Sequence, residues 1–145
     1  MKGFSLVELM LVLAIMAILG ALAYPGYAAH VRKARRTEAQ VALIEALQEQ
    51  ERYYAQHHRY LAFSADAPDP DGRLRWWSGA RAQDSSHEID AHACDGQPLT
   101  ACVELRAQPG TARVNAGFTD TECGALTVSS DGGRGASGPH ERCWP

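Results

Sequence analysis

The sequence is short of positive charge. Its 14 Lys and Arg face 17 Asp and Glu, for a formal net charge of −3, which excludes a globally basic nucleic-acid binder. It has no nucleophile elbow, no phosphate-binding glycine loop opening a helix and no paired acidic motif on a scaffold, so catalysis finds no support. It also lacks internal repeats and long low-complexity tracts. Hydrophobic residues at 46% and charged residues at 21% sit near the averages for folded chains, which excludes wholesale disorder. At 145 residues there is room for one domain of ordinary size. One stretch lacks polarity: Phe4 to Tyr24 is apolar except for Ser5, Glu8 and Gly20.

Those 21 residues span about 31 Å as a helix, matching the roughly 30 Å hydrocarbon thickness of a bilayer. Ala21-Leu22-Ala23 offers a site for ordinary signal cleavage. The single Lys2 before the run and the acidic Glu8 within it oppose that reading. A carboxylate at the centre of a membrane helix costs about 2.5–3.5 kcal/mol. Glu8 is therefore either solvated by headgroups near the end of the span or matched by a cation from another molecule. Gly20 and Pro25 weaken the helix, by about 1 and about 3 kcal/mol respectively, and mark either a mild kink or a break.

Lys2-Gly3-Phe4-Ser5-Leu6-Val7-Glu8-Leu9-Met10 resembles the prepilin signature of type IV pilins and the related pseudopilins. The resemblance implies cleavage between Gly3 and Phe4 by a prepilin peptidase, N-methylation of Phe4, and pairing of Glu8 with a neighbouring subunit's N-terminal amine. It also implies that Gly20 and Pro25 mark a stretch able to lose helicity when subunits pack. Orientation carries a conflict. Arg32, Lys33, Arg35 and Arg36 follow the apolar run, and charge alone would leave the C-terminal side in the cytoplasm. The leader and the cysteines argue for export of that side.

From Ala28 to Gln56 there is no Gly or Pro. Ala39, Leu43, Ala46, Leu47 and Tyr54 share one face at helical period, opposite Glu38, Glu45, Gln48, Glu49 and Arg52. One long helix is expected, its second half packed on a globular head, with His57-His58 near its end interacting with free carbonyls. Arg32 to Arg36 reads first as a solvated face. Lipid headgroups come next, and nucleic acid third. Ala65 to Gly72 is a loop; its Asp69-x-Asp71-Gly72 lacks the later glutamate of a calcium loop. Trp76-Trp77 reads as one ring packed on the helix and the other at a subunit interface, ahead of a stacking site with Arg73, Arg75 and Arg81. Short strands are expected at Ser86–Ala93, Val103–Ala107 and Leu126–Val128, with Ala112–Phe118 a weaker candidate, forming an antiparallel meander.

Four cysteines, all beyond residue 90, fit two disulfides in an oxidising compartment. Of the three possible pairings, Cys94–Cys102 with Cys123–Cys143 is simplest and keeps both loops local. The resemblance implies the Cys123–Cys143 pair, since pilins often close a C-terminal loop this way, and Cys94–Cys102 reads as an addition. A zinc site at His87, His92 and Cys94 competes poorly, because tight paired ligand spacings are missing.

The expectation is therefore an α+β, type IV pilin-like chain without metal or cofactor. It has a leader at 1–3, an apolar transmembrane or filament-core helix at 4–28 and an exported head at 29–145. The resemblance, nearest to the minor pilins, implies a non-enzymatic fibre subunit serving adhesion, twitching motility or DNA uptake. Such a subunit is held in the inner membrane by a single pass, head in the periplasm, and then packed with other pilin subunits by the assembly machinery. A pseudopilin of type II secretion is the alternative. Another is a DNA-binding competence pilin using Arg73, Arg75, Arg81, Arg106 and Arg113. The head from Leu61 onward has 7 basic and 12 acidic residues, so any basic stripe must be local.

Overall fold

The computed structural model describes residues 5–145. One helix, α1 (Leu6–His57), precedes a short 3-10 turn (Ala82–Asp84) and four strands: β1 (His87–Ala93), β2 (Val103–Pro109), β3 (Leu126–Ser129) and β4 (Arg134–Ala136). The chain divides into two compact units, Met1–Ala34 and Arg35–Pro145.

In the first unit the ladder of α1 begins at Ser5, whose carbonyl accepts from Leu9 N–H at 3.2 Å. Large apolar side chains face outward throughout, from Leu6 at 72% exposure to Leu22 at 74%. This stretch is long and apolar enough to cross a membrane. In the single chain α1 continues through Gly20 and Pro25. A proline removes one ladder bond locally, and the turns on either side keep theirs. Gly3 and Phe4, the expected processing junction, lie outside the described residues.

In the second unit the remainder of α1 buries Ala39, Leu43, Ala46 and Gln50, a spacing of four, three and four that keeps one face toward the sheet. The sheet is an antiparallel meander in the order β1-β2-β3-β4. Ile89 faces Ala107, and Ala91 faces Leu105, which faces Val128. These inward residues and Leu126 are all nearly inaccessible and form the core against α1. Single bridges, Phe63 to Ala91 and Trp77 to Glu88, cover the outer edge of β1, protecting a strand edge from pairing with another chain. Trp76 packs against the core and meets Trp77 edge-on at 5.1 Å.

The helix stops at His58, which has φ 54° and donates its N–H to Tyr54 O at 2.8 Å. The His57 ring lies 3.0 Å from Tyr53 O, the carbonyl contact expected for it. Two sequence expectations need correction. Ala112–Phe118 is not a strand but two turns, closed by Val114 N–H to Thr111 O and Phe118 N–H to Asn115 O. Thr111 and Asn115 side chains also accept backbone N–H groups there, offering the chain an alternative to a ladder. The fourth strand is instead Arg134–Ala136, paired with β3.

Disulfides join Cys94 to Cys102 and Cys123 to Cys143, with Cα separations of 5.4 and 5.5 Å. The first closes the β1–β2 connection, whose Leu99 and Thr100 carbonyls accept from Tyr60 N–H and Tyr54 Oη. The second closes the C-terminal tail.

Candidate functional site

Sequence reasoning missed the centre of the head's charge arrangement. Arg36, read as part of a solvated basic run, is only 8% exposed. Its Nε and Nη2 donate to the two carboxylate oxygens of Asp120 at 2.7 and 2.8 Å, and Nη2 also reaches Glu122 at 2.8 Å. Asp120 accepts further N–H bonds from Glu122 and Cys123, while Gln40 donates to Cys143 O at 2.6 Å. Together these tie α1 to both ends of the tail disulfide. Burial alone would raise the Asp120 carboxyl, but the Arg36 bond and the backbone N–H groups outweigh it and hold it below the usual range. A signal was available: Arg36 lies three residues before Ala39 and seven before Leu43, in phase with the buried face.

Beside this clamp, His87 is fully buried. Its Nδ1 lies 2.8 Å from Ser86 Oγ, its Nε2 has no hydrogen-bond partner among the described residues, and its ring is 5.3 Å from Phe118. Burial pushes its pKa down to about 4; nearby Asp120 raises it and Arg36 lowers it further. His92 projects from the other side of β1 toward Asp90 and Glu104, and Cys94 is bonded to Cys102. The three residues weighed as zinc ligands therefore do not converge. Asp69 is also occupied structurally, accepting N–H bonds from Asp71, Arg73 and Leu74.

The five arginines considered for a basic stripe are dispersed, and each meets a carboxylate. Arg73 and Arg75 line a cleft of about 220 Å³ with Arg52 and Trp77, 3.9 and 3.8 Å from Glu49 and Glu45 on α1. Arg81 bonds Asp84 within its own turn. Arg106 bonds Asp90 at 3.1 Å across the outer face of the sheet. Arg113, on the β2–β3 connection, meets Asp66 at 2.5 Å and Glu88 at 3.5 Å. By contrast, Arg134 on β4 lies 5.4 Å over the Trp144 ring, and Trp144 Nε1 donates to Gly135 O at 2.8 Å. Glu8 lies in the exposed first turn of α1.

An exposed apolar helix running into a four-stranded antiparallel head with a disulfide-closed tail defines a pilin-like protein. The chain belongs to the family described as type IV minor pilin ComP, DNA uptake sequence receptor, whose model matches residues 25–127. A second model, the prokaryotic N-terminal methylation motif, matches residues 1–24. No curated protein gave a match. Membership makes the chain a type IV pilus subunit that associates with other pilins and with pilus machinery, inserted in a membrane before it enters the pilus. Such a role is structural.

Proposed function

We propose that this minor pilin carries a DNA-contacting head into the pilus and serves as a receptor for DNA being taken up. The observation that carries this reading is the family match, which spans the head from the end of the apolar run to β3. In this reading residues 1–3 are a leader removed by the prepilin peptidase, Phe4 becomes the N-methylated first residue, and 4–28 forms the single membrane pass. The head, 29–145, lies in the periplasm before assembly. Glu8 then pairs with the Phe4 amine of a neighbouring subunit, and the Gly20–Pro25 stretch is free to extend as subunits pack. Two disulfides on the head suit an oxidising compartment.

The acidic balance of the head limits the contact with DNA. Arginines held by carboxylates must exchange those partners for phosphates, so binding should be local, with a salt slope of about 0.9 for each phosphate engaged. The test is deletion of the gene followed by complementation, scoring surface fibres and uptake of labelled duplex DNA separately. The expected result is that fibres persist while uptake is lost and then restored. Normal uptake without the gene would overturn the receptor reading.

A further inference from the structure

Arg113 differs from the other four arginines in where its nearest carboxylate comes from. Arg81 pairs within its own turn, Arg106 pairs with a cross-strand neighbour, and Arg73 and Arg75 stand 3.8 Å or more from the acids of α1. Asp66 instead reaches Arg113 from a separate loop, 47 residues away in sequence, at 2.5 Å. That loop is anchored rather than slack. Phe63 is buried and bridged to Ala91 at its start, Leu74 is buried at its end, and Ser64 N–H closes on Ala67 O around Asp66 itself. Glu88 completes the arrangement from β1, fixed by Thr111 Oγ1 and 3.5 Å from Arg113 Nη1. The Asp66 side chain is 77% exposed and that of Glu88 16%. One carboxylate therefore positions the guanidinium from within, while the other sits on it from the solvent side.

A carboxylate on the open side of a guanidinium makes the same charge-assisted contact as a phosphate oxygen. We propose that Asp66 is an affinity-setting residue for DNA: it occupies Arg113 as a phosphate would, and duplex DNA must displace it to gain that contact. This rests on the receptor reading above. The consequence is moderate affinity, since an exposed ion pair of this kind is worth about a two- to five-fold factor in an equilibrium constant. Replacing Asp66 leaves the fold intact, because the turn around it is closed by backbone and by Ser64.

The experiment is a double-mutant cycle on the full mature chain in detergent micelles. Binding of a short fluorescent duplex of mixed sequence is measured across a salt series for wild type, Asp66→Asn, Arg113→Gln and the double variant. Asp66→Asn should tighten binding by about two- to five-fold. Arg113→Gln should weaken it and lower the salt slope by about 0.9, the loss of one phosphate contact. In the Arg113→Gln background Asp66→Asn should give no gain. An equal gain in both backgrounds would show general charge repulsion and overturn the proposal, as would no effect of Asp66→Asn or of Arg113→Gln. If neither the wild type nor Asp66→Asn retains duplex at low salt, the receptor reading itself fails. Binding by wild type that Asp66→Asn leaves unchanged defeats only the role of Asp66.

Discussion

Removing the Arg36 guanidinium should be among the most damaging single changes to the head. In Arg36→Met the helix keeps its shape and most of the apolar stem, but the fully buried Asp120 carboxylate loses two hydrogen bonds and its counter-charge. Breaking a buried pair from one side typically costs 3–5 kcal/mol. Asp120 retains two backbone N–H donors from Glu122 and Cys123, which places the expected loss near the lower figure, about 3 kcal/mol. Asp120→Asn should cost less, about 2 kcal/mol, because Arg36 keeps Glu122, whose side chain is half exposed and already partly hydrated. The two losses should not add, since both remove one interaction. Thermal unfolding of the full chain in detergent, followed by near-ultraviolet dichroism, measures this. At about 4 °C per kcal/mol for a domain of this size, Arg36→Met should melt roughly 12 °C lower. A drop under about 4 °C, or additivity in the double variant, would mean that the pair is a tolerated surface contact and that the disulfide alone holds the tail.

His87 is buried and neutral in the fold with its pKa near 4, against about 6.5 unfolded. The unfolded chain therefore binds the extra proton first, and stability should be full above pH 6.5 and fall by about 3 kcal/mol as pH drops toward 4. His87→Gln should flatten that window in a pH series of melts, and an unchanged slope would place the loss elsewhere. Replacing Cys123 and Cys143 together by Ser should cost about 3 kcal/mol on the chain-entropy estimate for a loop of 20 residues, read as a lower melting midpoint while Cys94–Cys102 remains oxidised by mass mapping. Glu8→Ala should insert in the membrane at least as well as wild type, since it removes a costly carboxylate. It should nevertheless enter sheared fibres poorly, and an unchanged fibre-to-membrane ratio would refute the proposed pairing.

Hydrophobic period made α1 and three strands legible in the sequence, because each buries a single face whose spacing is written in residue type: Ala39, Leu43 and Ala46 on the helix, Ile89 and Ala91 on β1. The two local disulfides were open among three pairings, and the fold brings together the simplest. β4 was hidden because Arg134-Gly135-Ala136 has neither length nor alternation; it becomes a strand only through its ladder to β3 and the Trp144 bond to Gly135. Arg36 was hidden by its company. Among four basic residues its helical phase looked incidental, and its partners Asp120 and Glu122 lie more than 80 positions away. Apart from Arg81, whose partner Asp84 is three residues on, the stripe arginines were visible as residues but not as pairs, since their carboxylates come from a helix, a strand and a loop that only the fold brings near.

The exposed half of α1 raises a question that hydrophobicity does not answer. Side chains from Leu6 to Leu22 cannot remain in water as one apolar surface, yet a bilayer and a bundle of neighbouring helices remove them from water equally well. Lipid tails are as apolar as leucine, so moving the helix from membrane to filament gains little from burial itself. What differs between the two environments is polar chemistry and close packing. In lipid Glu8 is a cost; beside a cationic amine in a dry bundle it becomes a contact that only the right register satisfies. The head poses the opposite case. Arg36 and Asp120 meet within a single chain and satisfy each other before any neighbour arrives, which lets the head fold independently of filament entry. If Glu8 pairs as proposed, it selects the assembled state, while charges already paired within the head, such as Arg36 and Asp120, hold the subunit ready.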